Sequence, residues 1–290
     1  MLVSRPLRRK CVGQWKRMME RVRPGASASS TRVVLFDFDG TLSLIRAGWV
    51  DQMVPMMVEI LADLKTGESE TQLREVVDEF VGRLTGKETI YQMIEFADQI
   101  TKRGGTPEDP AVYKKMYLDR LWTVIKDRVS ALREGKVSPE DYLVPGSRKL
   151  LESLKERGLT LYLASGTDDE FVKDEANLLD ISRYFDGVYG ALEDYKSFSK
   201  AILIKRIIES AEFEGSEFLG FGDGYVEIEN VKEVGGVTVG VASEEPACER
   251  IDQWKRKRLV GVGADFIIPN YLCLDELMPA LFPQDESVRA

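Results

Sequence analysis

The chain has 290 residues, 43% of them apolar and 31% charged, with a net charge of −9 and not one histidine. That length can bury a full core in one large domain or two modest ones. Without histidine, Ser-His-Asp and Cys-His catalysis and His-built zinc sites are excluded, so carboxylates and lysines must carry any acid-base chemistry. The three cysteines (Cys11, Cys248, Cys273) are far apart and odd in number, which fits a reducing compartment and offers no metal-ligand spacing. No apolar run approaches the roughly 20 residues of a membrane helix, so no membrane association and a cytoplasmic location are expected.

The charge is unevenly spread. Residues 1–32 hold nine Lys or Arg against the single acid Glu20, about +8, which leaves about −17 on the rest. An acidic body argues against nucleic-acid binding. Residues 1–31 read as a basic, flexible arm ending in Pro24-Gly-Ala-Ser-Ala-Ser-Ser-Thr31, a solvated extension with organelle targeting as its functional alternative.

The first strong element is Val33-Val34-Leu35-Phe36, an apolar run with no polar face that predicts a buried strand. It ends in Asp37-Phe38-Asp39-Gly40-Thr41. Apolar residues then recur at helical spacing through about 44–135: Met53, Met56, Met57, Ile60, Leu61 and Leu64, then Leu73 to Leu84, Ile90 to Ala97, and Val112, Met116, Leu121, Val124 and Ile125. Roughly four helices between one strand and the next exceed an ordinary crossover, so an inserted helical domain is predicted over 45–139. Beyond it, strands and helices alternate. Strands are predicted at 159–164, 187–190, 217–221, 237–241 and 265–268, with helices near 147–157 and 199–213. This is the pattern of an α/β fold with a largely parallel, Rossmann-like sheet, formed by 32–44 and 140–290.

Three of the strands end in small polar clusters: Asp37 and Asp39, Ser165 with Thr167, and Asp223 with Glu227. In an open parallel sheet such ends meet at one edge. Carboxylates gathered there repel unless a divalent cation neutralises them, and Mg²⁺ suits one or two carboxylates completed by water and a substrate phosphate. Asp37 and Asp223 are the natural ligands, and the chemistry predicted is phosphoryl transfer with an aspartate as nucleophile.

On these motifs the chain resembles the haloacid dehalogenase superfamily, in its phosphatase branch with a type 1 helical cap, the phosphoglycolate phosphatase and β-phosphoglucomutase kind. Asp37-Phe38-Asp39-Gly40-Thr41 matches the first motif, Ser165 the second, and Gly222-Asp223-Gly224-Tyr225-Val226-Glu227 the fourth. Lys200 fits the third best, with Lys196 as its rival, although the family's frequent Lys-Pro pair is missing. The resemblance implies roles. Asp37 attacks phosphorus, and Asp39 protonates the leaving oxygen and then activates water. Ser165 and the Gly166 amide hold phosphate oxygens, and Thr41 orients Asp39. Lys200 neutralises the phosphate, while Asp37, the Asp39 carbonyl, Asp223 and Glu227 hold Mg²⁺. In the helical insertion, the Leu84-Thr85-Gly86-Lys87 turn is the candidate substrate loop, and Arg46 is placed to meet an anionic leaving group.

The function expected is a Mg²⁺-dependent phosphatase acting on a small phosphorylated metabolite. A β-phosphoglucomutase-type mutase is the alternative that uses the same motifs. A non-catalytic module that kept the fold is the alternative of another class, opposed by the intact Asp37, Asp39 and Asp223.

Overall fold

Val33–Phe36 (β2) is fully buried, as a strand with two apolar faces must be. In the computed structural model, which describes residues 19–192, 199–211 and 213–283, it is an interior strand of a seven-stranded sheet. The other strands are Glu20–Arg21 (β1), Thr160–Asp168 (β3), Gly187–Ala191 (β4), Phe218–Gly222 (β5), Val237–Val241 (β6) and Phe266–Ile268 (β7), in the order β1-β7-β6-β5-β2-β3-β4. β2 pairs in parallel with β3 (Phe36 opposite Leu163) and with β5 (Phe36 opposite Phe221). Alternation along β2 sends Val34 and Phe36 to one core and Val33 and Leu35 to the other. Phe36 and Phe221 stack with ring centroids 4.7 Å apart.

β1 departs from the expected flexible arm. Glu20–Arg21 pairs antiparallel with β7, Arg21 lies over the Phe266 ring, and Glu20 takes a bidentate ion pair from Arg256. Ala28 is buried and its amide donates to the Leu281 carbonyl. β7 would otherwise present an unpaired edge, and covering such an edge is favourable whatever the net charge of the segment. Residues 19–31 therefore belong to the core. The remainder of the basic arm lies outside the described residues.

The chain leaves the sheet after β2 and returns as Leu143-Val144, and the two passages run side by side. Leu44 N donates to Tyr142 O, and Val144 N to Leu42 O, both close to 2.9 Å. Between them stand Val50–Ala62 (α1), Glu70–Leu84 (α2), Thr89–Lys102 (α3) and Pro110–Arg133 (α4), the four helices of the insertion. They close on a core of their own that includes Met53, Met57, Phe80 and Phe96. α2 starts at a capping box between Ser69 and Gln72. The buried stripe of α4 is Tyr113, Tyr117, Leu121, Ile125, Val129 and Leu132, a four-residue step that closes with a step of three. Val112 and Met116, expected on that face, are exposed one position away from it.

The remaining helices flank the sheet: Ser147–Glu156 (α5), Asp169–Leu178 (α6), Lys200–Ala211 (α7), Tyr225–Glu233 (α8), Gln253–Gly261 (α9) and Leu274–Leu281 (α10). No helix among the described residues is long and apolar enough to cross a membrane.

Candidate active site

The parallel pairing of β2, β3 and β5 brings their carboxyl ends to one edge, and with them the three polar clusters. Asp37 continues the β2–β5 ladder, its amide donating to Phe221 O at 2.9 Å. The chain then turns so tightly that the amides of Thr41, Leu42 and Ser43 all converge on the Phe38 carbonyl. The buried Tyr271 hydroxyl donates to Thr41 O at 3.0 Å and pins this turn from below. Gly40 is indispensable to it, because its φ is +73° and a Cβ there would stand 2.4 Å from Asp223 Oδ2 and 2.9 Å from Glu245 Oε1.

Asp37 is buried, and the fully buried Thr41 hydroxyl donates to its Oδ2 at 3.3 Å. The same Thr41 oxygen accepts from the Asp223 amide at 2.9 Å. Thr41 thus ties the first strand end to the third and donates to Asp37. Asp39 is held from β3, by the hydroxyls of Ser165 (3.3 Å) and Thr167 (2.8 Å), both donating to its Oδ2. β3 runs on through Asp168, farther than predicted, and residues 165 and 167 share one face of it.

Asp223 follows β5, and its Oδ2 accepts from the Lys255 ammonium at 2.8 Å. Lys255 also donates to Glu245 Oε1 at 2.6 Å. Burial alone would lower the Lys255 pKa, but Asp223 and Glu245 outweigh it and hold the ammonium well above its ordinary range. Glu227, in the first turn of α8, is fully buried. Its Oε2 folds against the loop, 3.0 Å from where a Cβ on Gly222 would lie, and Glu227 does not line the cleft. Lys200 begins α7; its side chain, and all of Lys196, lie outside the described residues.

The helical insertion closes over this edge. The cleft encloses about 710 Å³ of empty space including its open mouth, and Asp37, Asp39, Ser165, Gly166 and Asp223 face cap residues across it. The Thr85-Gly86-Lys87 turn sits on the core so closely that a Cβ on Gly86, whose φ is +98°, would be 3.1 Å from Gly224 Cα. Arg258 of α9 fastens that contact, donating to the carbonyls of Gly82, Arg83 and Thr85 at the end of α2. Its guanidinium lies over the rings of Tyr225 and Trp254. A cation at the carbonyl end of a helix satisfies its orphan acceptors and its dipole together.

Arg46 lines the cleft but is already engaged. Its Nε and Nη2 grip Glu175 of α6 at 2.7–3.2 Å, and both residues are buried. Burial pushes the Glu175 carboxyl up to about 7 against the pull of Arg46.

Aspartates and a main-chain carbonyl are hard oxygen donors, and Asp37 and Asp223 joined through Thr41 suit a cation such as Mg²⁺. No three acidic, cysteine or histidine side chains among the described residues gather closely enough to hold a metal alone.

Thr167 belongs to the polar cluster marked in the sequence but is given no role there. Two further residues of the site, Glu245 and Lys255, are not among those the sequence patterns mark, because each comes from a different loop or helix beyond β6.

A family model described as a haloacid dehalogenase-like hydrolase matches residues 31–235. A 5'-nucleotidase of Pseudomonas aeruginosa is 29% identical over 127 residues, which cover 42% of this chain and 55% of that protein. The chain thus spans about half the length of the curated relative it matches. Among solved structures, a putative β-phosphoglucomutase from Thermotoga maritima superposes with a TM-score of 0.52 at 19% identity, over 87% of this chain and all of that one. A predicted phosphoglycolate phosphatase from Haemophilus somnus gives 0.55 at 14% identity, over 86% and 98%. At such identities the likeness speaks for the fold.

Proposed function

Since the chain belongs to the haloacid dehalogenase-like hydrolases, we propose that it is a Mg²⁺-dependent phosphatase that cleaves a small phosphomonoester through an aspartyl-phosphate. The observation that carries this reading is the meeting of Asp37, Asp39 and Asp223 at one strand edge among hydroxyl donors. Thr41 donates to Asp37, and Ser165 and Thr167 donate to Asp39.

Asp37 attacks the phosphorus with a carboxylate oxygen, and the ester P–O bond breaks. Asp39 delivers its proton to the departing oxygen, which leaves as an alcohol. A water then attacks the phosphorus of the aspartyl-phosphate, its proton passes to Asp39, and the P–O bond to Asp37 breaks to restore the carboxylate. Ser165 and the Gly166 amide are positioned to take phosphoryl oxygens. Asp37, Asp223 and the main-chain carbonyl of Asp39 would hold Mg²⁺, the cation this family generally uses. When bound, it supplies positive charge to the phosphoryl oxygens. The cap, seated through Gly86 on Gly224, keeps bulk water from the reacting atoms.

The test is phosphate release from a panel of phosphomonoesters, with and without Mg²⁺, by wild type and Asp37→Asn. Release that needs Mg²⁺ and falls on the order of 10³-fold or more in the variant is expected. Equal release by both proteins would overturn the assignment of Asp37.

A further inference from the structure

A pocket that selects substrates bearing a second anionic group needs a cation with charge to offer it. Three cationic side chains line the cap side of the cleft: Arg46, Lys87 and Lys114. Arg46 is clamped by Glu175 in a bidentate pair whose side chains are 8% and 4% exposed, and it rests over the Phe171 ring. Lys114 of α4 is joined to Asp168, at the end of β3, in a short ion pair. Lys87 has its ammonium over the Tyr91 ring, and its carbonyl packs on Gly166, beside the phosphate loop.

Arg46 and Lys114 are therefore each matched by one carboxylate. A second phosphate or carboxylate on the substrate would have to displace Glu175 or Asp168 or sit beside them. Two like charges about 4 Å apart cost several kcal/mol at the effective dielectric of a protein surface. The rest of this wall is apolar or neutral: Trp49, Met53, Leu118 and the amide of Gln92.

We propose, on the phosphatase reading above, that the leaving group is an uncharged alcohol with an apolar face. Lys87, the lining cation that has no carboxylate partner among the described residues, then serves the phosphoryl group being transferred beside Gly166, and that group is the one anion the pocket accepts. Glu175 and Asp168 set this preference by neutralising Arg46 and Lys114.

Matched pairs test it: glycerol phosphate against phosphoglycerate, and a nucleoside 5'-monophosphate against the nucleoside 3',5'-bisphosphate, with p-nitrophenyl phosphate as a common reference. The uncharged leaving group of each pair should show a kcat/KM higher by about tenfold or more. Asp168→Asn, a substitution at a partly exposed position, should shift both ratios toward the charged member by releasing Lys114. Turnover of p-nitrophenyl phosphate with equal or better use of the charged members would overturn the proposal and leave the phosphatase reading standing. An unchanged ratio in Asp168→Asn would overturn the part assigned to the Lys114–Asp168 pair. No turnover of any ester, including p-nitrophenyl phosphate, would overturn both readings together.

Discussion

Arg46 lines the cleft from the cap side and Lys255 stands behind its core side through Asp223, and the two cations are balanced differently. Arg46 meets one carboxylate, Glu175, with Nε reaching Oε2 and Nη2 reaching Oε1, and the pair is neutral. Lys255 is shared between two carboxylates, Asp223 and Glu245, at an edge that also carries Asp37 and Asp39. The core side keeps a surplus of negative charge after its lysine is counted, and the cap side does not. A surplus of buried carboxylate is what a divalent cation and a cationic lysine relieve. A matched pair asks for nothing further and serves as wall. The planar guanidinium suits the static partner, and the ammonium, a point charge, suits the shared one.

The sharpest way to break the comparison is to unbalance the neutral side. Glu175→Ala leaves the Arg46 charge buried without its partner and should destabilise the fold by about 3–5 kcal/mol in denaturant titration. The double change Arg46→Met with Glu175→Leu should recover much of that loss. If Glu175→Ala unfolds like wild type, Arg46 is not held as a closed pair.

On the surplus side, the two partners of Asp223 should act in opposite directions on cation affinity. Lys255→Met should tighten Mn²⁺ binding to the substrate-free protein by roughly tenfold, and Glu245→Gln should weaken it by roughly tenfold. Calorimetry reads both without any turnover. Changes of the same sign in the two variants would remove the charge-surplus argument.

The smallest effect is expected where cap and core merely touch. Arg258→Ala removes three hydrogen bonds to the end of α2. Closure is weakened, and KM should rise by about three- to tenfold with kcat less affected.

Much of the site is legible in the amino-acid sequence, because its chemistry sits at strand ends that composition marks plainly. An apolar run that stops in Asp-Phe-Asp-Gly-Thr has few ways to fold, and the parallel α/β alternation brings Ser165 and Asp223 to the same edge. Illegible are the contacts made by residues with no local signature. Arg46 looks available in the sequence because a sequence shows a charge and not its partner, and Glu175 is 129 positions away. Glu227 has the spacing of a ligand, but its packing against the Gly222–Gly224 loop is set by the tertiary fold alone.

By itself the sequence determined the element types, the helical insertion and the polar strand ends that line the cleft. Each of these rests on short-range pattern: strand alternation, helical period, and small polar residues where a strand must end. Tertiary structure alone decided which charges are spent. It docked Glu20–Arg21 on the open edge of β7, joined Thr41 to Asp37 and Thr167 to Asp39, and gave Asp223 its Lys255. Those choices depend on pairings between residues far apart in the chain, where the loss of water is repaid only by the partner that packing brings within hydrogen-bonding distance.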